Sequence, residues 1–161
     1  MSFERLTVTE RESKASTSVG PSAVTKDEFT RVACEGMPSA SAMKFEVLSM
    51  ERGKVALRMK TGPSDLRPGD TVAGPVLFGL ADLALWALVM SVRGPIPLAV
   101  TTDATIHFLR RPAAGALIAR GRLLRSGKRL VVGDVEIERE GDPEGPVAHA
   151  VMTYSVPPPE K

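Results

Sequence analysis

Residues 72–90 read VAGPVLFGLADLALWALVM, and Asp82 is the only ionisable side chain among them. A run this long can cross a bilayer. The central aspartate, Pro75 and Gly79 inside the run, and the lack of a second such run speak against that use. A helix that is apolar on every side is otherwise one surrounded by protein. The run therefore predicts a buried central helix, with Pro75 at the first helical position, where its missing N–H would have had no partner anyway. An ionised carboxylate buried there is costly unless it meets a cation, a raised pKa or a solvated cleft. Asp82 is thus either a buried acid satisfied by an arginine or a hydroxyl, or a general base or nucleophile facing a substrate channel. The pattern alone leaves both readings open.

On either side of this run the period changes. FEVLSMERGKVALRM (45–59) alternates apolar and polar residues around a turn at 51–53, as an antiparallel pair or one long bent strand would. Downstream, LAVTTDATIHFL, ALIARGRLLR, RLVVGDVEIERE and PVAHAVMTYSV read as strands joined by the turn sequences RRPAAG, SGK and GDPEG. Upstream, KDEFTRVACEGM (26–37) has helical spacing, with Thr25 or Asp27 as its cap. Residues 1–25, rich in Ser, Thr, Glu and Arg, predict a disordered or loosely docked tail, and residues 26–158 a single α+β domain. An antiparallel sheet with one apolar face, wrapped around the long central helix, satisfies all of these segments.

The chain has 161 residues and a formal net charge of +2, from 21 Lys and Arg against 19 Asp and Glu, with its charges dispersed. No nucleic-acid partner and no membrane partner is expected. The single cysteine, Cys34, excludes an internal disulfide, and with a charged N-terminal stretch this predicts a cytoplasmic protein. Cys34 itself is expected to be a small buried residue rather than a nucleophile. His107 and His149 lie in separate strands, so no metal site is expected. Nucleophile-elbow, phosphate-loop and dinucleotide glycine motifs are all absent. The chain contains neither asparagine nor glutamine, so a site must draw its neutral donors from backbone N–H groups, hydroxyls, Trp86 or histidine.

The segments RPGDTVAGPVLFGLAD (67–82), AVTTDATIHFLRRP (99–112), RSGKRLVVGDVEI (125–137) and HAVMTYSVP (149–157), in this order and spacing, resemble the hotdog-fold acyl-CoA thioesterases of the phenylacetate-degradation (PaaI-like) type. The resemblance runs from about residue 27 to 156. In that family a His-Gly-Gly motif opens the helix, the first glycine's N–H polarises the thioester carbonyl, and an acid on the helix activates water or attacks directly. It implies Ala73, Gly74 and Pro75 at the motif, Asp82 as the acid, and Thr101 near the attacking water. Two positions depart from the family: Ala73 replaces the histidine, and Arg67 stands where relatives often carry asparagine.

Gly74 and Asp82 are eight residues apart, roughly 12 Å along a helix. A reacting carbonyl lies about 3 Å from both its oxyanion donor and its attacking group. The two residues can serve one thioester only from different copies of the chain, which predicts a homodimer with two shared sites, or a dimer of dimers. Phe78 and Trp86 are candidate acyl contacts, with core filling the simpler reading of Trp86. Arg110, Arg111, Lys128 and Arg129 are, as a cluster, candidate contacts for the coenzyme A phosphates, each by itself more simply a solvated turn charge. Coenzyme A enters as part of the substrate, and no other cofactor is expected. The expected function is therefore an acyl-CoA thioesterase. The alternative is a non-catalytic acyl-CoA-binding or sensing protein, favoured by the missing histidine at Ala73 and opposed by the retained Asp82. A hydratase on the same fold ranks last, since the helix supplies no histidine.

Overall fold

The structure, a computed structural model, describes residues 20–158. Most of the expected tail, residues 1–19, therefore lies outside the described residues. Residues 20–25 run along the domain, with Arg52 N–H donating to Gly20 C=O at 3.1 Å and Ala23 N–H to Ser91 C=O at 2.8 Å. Helix α1 (Lys26–Gly36) starts at Thr25, whose hydroxyl accepts from Glu28 N–H while the Glu28 carboxylate reaches back to Thr25 N–H. Phe29 and Ala33 form its buried face. Met37 is extended, and Pro38 opens a second short helix, α2 (Pro38–Met43), which periodicity did not reveal. Cys34, expected to be buried, is exposed. It lies one residue past Ala33 and so about 100° around the helix from the buried stripe.

Strands β1 (Phe45–Glu51) and β2 (Lys54–Lys60) form an antiparallel pair. A single 3-10 turn at Pro63–Asp65 and a two-residue ladder of β3 (Leu66–Arg67) on β4 (Thr71–Val72) lead into the central helix α3 (Gly74–Arg93). The remaining strands are β5 (Val100–Phe108), β6 (Ala116–Ser126), β7 (Leu130–Arg139) and β8 (Ala148–Ser155). They complete a six-stranded antiparallel sheet in the order β1-β2-β6-β7-β8-β5. This is the hotdog arrangement, with α3 lying across the concave face.

Every residue of α3 from Leu83 to Val92 is buried. Although α3 is long and apolar enough to cross a membrane, with a mean hydropathy of 1.9, the sheet encloses 72% of that stretch. Close approach at the middle of the sheet depends on Gly133, where an added Cβ would stand 2.5 Å from Leu88 and 2.6 Å from Leu85. The helix ends at Gly94, whose φ of 86° suits glycine, and its N–H caps Met90 C=O at 3.0 Å. Inside the core, Ser91 donates to Leu88 C=O at 2.7 Å and accepts from Gly53 N–H at 3.0 Å, tying the β1–β2 turn to the helix.

The two edges of the sheet differ. The free edge at β5 carries exposed Val100, Phe108 and Leu109, with exposed Leu98 just before it. On the convex face, ion pairs link neighbouring strands: Arg120 with Glu138, and Arg122 with Asp134, which His149 also contacts at 3.4 Å.

Candidate active site

Asp82 is only half-buried, in contrast to the helix that follows it. The Thr101 hydroxyl donates to its Oδ1 at 2.5 Å and the Tyr154 hydroxyl to the same oxygen at 2.9 Å. Asp82 Oδ2 has no hydrogen-bond partner among the described residues. Thr101 reaches this position through an irregularity in β5. Its register against β8 shifts between Thr101 and Asp103, so that Thr101 pairs with inward-facing Tyr154 whereas Asp103 pairs with Thr153. Strict alternation from Ala104 would have turned Thr101 outward.

These three side chains border a cleft of about 240 Å³, which Trp86, Met37, Gly36, Pro97 and Ala99 help to line. Trp86 also belongs to the core, donating to Ile96 C=O at 3.4 Å and meeting Phe29 edge-on at 5.8 Å. Burial first, and then the Asp82 charge, push the Tyr154 phenol far above the ordinary phenol range. Tyr154 is therefore a permanent donor at any working pH. It is the residue that the sequence reading missed, although it is the chain's only tyrosine and shares the inward face of β8 with Ala148, Ala150 and Met152.

Gly74 borders a different cleft, of about 570 Å³, together with Pro75, Phe108, Arg67, Arg110 and Arg111. Ala73 is the N-cap of α3 and makes no side-chain cap, so the helix starts without a competing side-chain acceptor. Its own N–H donates to Asp65 C=O at 2.9 Å, and Gly74 N–H has no partner among the described residues. A free N–H at the positive end of a 20-residue helix is a donor prepared for developing negative charge.

The candidate cations fall into two groups. Arg110 pairs with Asp142 and Glu144 and also donates to the carbonyls of Gly145 and Pro146. Arg67 and Arg111 are exposed and have no side-chain partner among the described residues. Lys128 and Arg129 are exposed in the β6–β7 turn at the other end of α3, where Arg93 donates to Gly127 C=O. One chain thus separates these cations by roughly the 30 Å length of the helix. Phe78 lines neither cleft but stands 38% exposed on the helix surface between them. No cluster of three metal-ligating side chains occurs among the described residues.

Comparison with known proteins gives this geometry a family. The sequence model of the Thioesterase superfamily matches residues 69–146, a segment that holds Gly74, Asp82 and Thr101. A crystal structure of a candidate thioesterase from Silicibacter sp. TM1040 is 39% identical, with a TM-score of 0.76 over 85% of this chain and 94% of that one. The chain belongs to the thioesterase superfamily. Among its structural neighbours is the PaaI protein of the Escherichia coli phenylacetic acid degradation operon, at 25% identity and a TM-score of 0.69 over 83% of this chain and 97% of that one. Another is a Streptococcus mutans protein solved with acetyl CoA bound, at 25% identity and a TM-score of 0.65 over 73% and 92%. Within the superfamily, this chain combines the glycine at the helix start and the acid on the helix with an alanine at position 73.

Proposed function

We propose that the protein hydrolyses acyl-CoA thioesters in two equivalent sites, each shared between two copies of the chain. The observation that carries this reading is the free Oδ2 of Asp82, an acceptor held on a largely buried helix and bordering a cleft of about 240 Å³. Such a carboxylate gains nothing as a structural element, since an apolar residue would fill the place more cheaply.

Asp82 and Gly74 border separate clefts, and Phe78 is midway between them in sequence and exposed. A two-fold axis passing beside Phe78 sets residue 82 of one helix opposite residue 74 of the other. The unpaired β5 edge, with exposed apolar residues Val100 and Phe108 at its two ends, supplies the adjoining surface. In each shared site, Asp82 Oδ2 accepts a proton from water as the water oxygen bonds to the thioester carbon. Gly74 N–H of the opposite copy donates to the oxygen that becomes negative. Collapse of the tetrahedral adduct breaks the C–S bond, and the proton leaves with the thiol. Thr101 gives its hydrogen to Asp82 and keeps lone pairs to orient the water. Arg67 and Arg111 have free guanidinium groups for phosphate, whereas Arg110 must first yield its carboxylates. That a relative holds acetyl CoA supports the ligand class.

The test is thiol release from a panel of acyl-CoAs by the wild-type chain and Asp82→Asn. Loss of at least about 100-fold in kcat, with acyl-CoA affinity kept within a few-fold, is the expected result. Binding of acyl-CoA by the wild type with no turnover on any substrate would overturn the hydrolytic reading in favour of a binder, the alternative that Ala73 allows.

A further inference from the structure

Two hydroxyls spend their hydrogens on one oxygen of Asp82, and only one of them, Thr101, has a place in the scheme above. We infer that Tyr154 is a positioning residue, which together with Thr101 fixes the Asp82 side chain through Oδ1 and so selects Oδ2 as the oxygen that takes the proton from water. The selection rests on the hydrolytic reading of the site; the grip on Asp82 does not.

The geometry supports this in three ways. The Tyr154 ring is 4% exposed and belongs to the core, so its hydroxyl reaches Asp82 from a fixed point. That hydroxyl is 2.9 Å from Oδ1 and 3.3 Å from the Asp82 backbone carbonyl, so its one hydrogen goes to the nearer acceptor, Oδ1. Within one chain no other charged side chain lines this cleft; in the shared site proposed above, the Gly74 cleft of the opposite copy adds Arg67, Arg110 and Arg111 on the facing side. The β5 side contributes Thr101 and Val100, the preceding segment Pro97 and Ala99, the α1–α2 junction Gly36 and Met37, and α3 Trp86. Tyr154 is therefore the sole titratable partner of Asp82 in that lining, and as a buried phenol it stays protonated. A hydrogen bond to the ionised form favours it, so removing the hydroxyl makes Asp82 easier to protonate.

The experiment uses the full chain labelled with [13C]aspartate. The Asp82 carboxyl signal is identified by its loss in Asp82→Asn and titrated in the wild type and in Tyr154→Phe. The expected midpoint in Tyr154→Phe is higher than in the wild type. The acid limb of kcat/KM should move by the same amount, with KM little changed. Tyr154 is the only tyrosine in the chain, so biosynthetic replacement by 3-fluorotyrosine alters that hydroxyl alone. As a stronger donor on an almost unchanged ring, it should move the midpoint downward, and it provides the test even if Tyr154→Phe folds poorly. A midpoint unmoved by either replacement in folded protein overturns the inference. A moving midpoint in a protein that hydrolyses no acyl-CoA would instead refute the hydrolytic reading and leave Tyr154's hold on Asp82 in place.

Discussion

Two aspartates show how environment divides one residue type between tasks. Asp82 faces a cleft and receives only neutral hydroxyls, whereas Asp134 sits on the convex face between a guanidinium and an imidazole. Burial works against the Asp134 charge, but hydrogen bonds from Arg122 and His149, together with the charge of these partners, outweigh it and hold the carboxyl below its usual range. A lowered folded-state pKa stabilises the fold above the unfolded value and loses that contribution as pH falls through the folded value. Asp134→Asn should therefore cost about 1 kcal/mol near neutral pH. Thermal melts should show a Tm gap of a few degrees near neutral pH that closes as pH falls from about 4 through the lowered folded-state value. A gap that widened in acid would contradict this assignment. At this scale the sequence was only partly legible. A lone acid in an apolar run announces itself, but Arg110 looked free because its counter-charges lie 32 and 34 residues further along the chain.

Among the elements, α3 was legible as a central helix, though not to its exact ends, because the burial of residues 83–92 leaves a compositional trace. The strands likewise showed themselves by alternation. Alternation fails where the backbone breaks step, as it does between Thr101 and Asp103. It also leaves open which strands become neighbours, so Tyr154's proximity to Asp82, which depends on β8 lying between β7 and β5, could not be read. The contact of α3 with the middle of the sheet is the tightest fit in this arrangement. Gly133→Ala would press a methyl group into Leu85 and Leu88. The expected cost is about 1–3 kcal/mol, measured as a Tm lower by several degrees. Relief should follow if Leu88 is shortened in the same chain. A Gly133→Ala protein as stable as the wild type would mean that the helix can ride higher on the sheet than the structure places it.

For the whole molecule, the proposed sharing of each site between copies can be tested by mixing two inactive chains. Gly74→Pro removes the N–H. Ala73 already has φ −71° and ψ 143°, which a residue before proline adopts readily, and a Cβ at position 74 meets the Phe108 ring at 3.4 Å, an ordinary contact. Co-refolded with Asp82→Asn, it should form mixed pairs with one intact site out of two. Random pairing then restores about a quarter of wild-type activity, whereas a site contained in a single chain would leave the mixture silent. On the proposed scheme, the eight steps from Gly74 to Asp82 act as a ruler too long for one molecule to close on its own substrate. A solitary copy would then hold two unusable halves, and turnover per chain would rise with the amount of protein present, making abundance itself a throttle on the reaction.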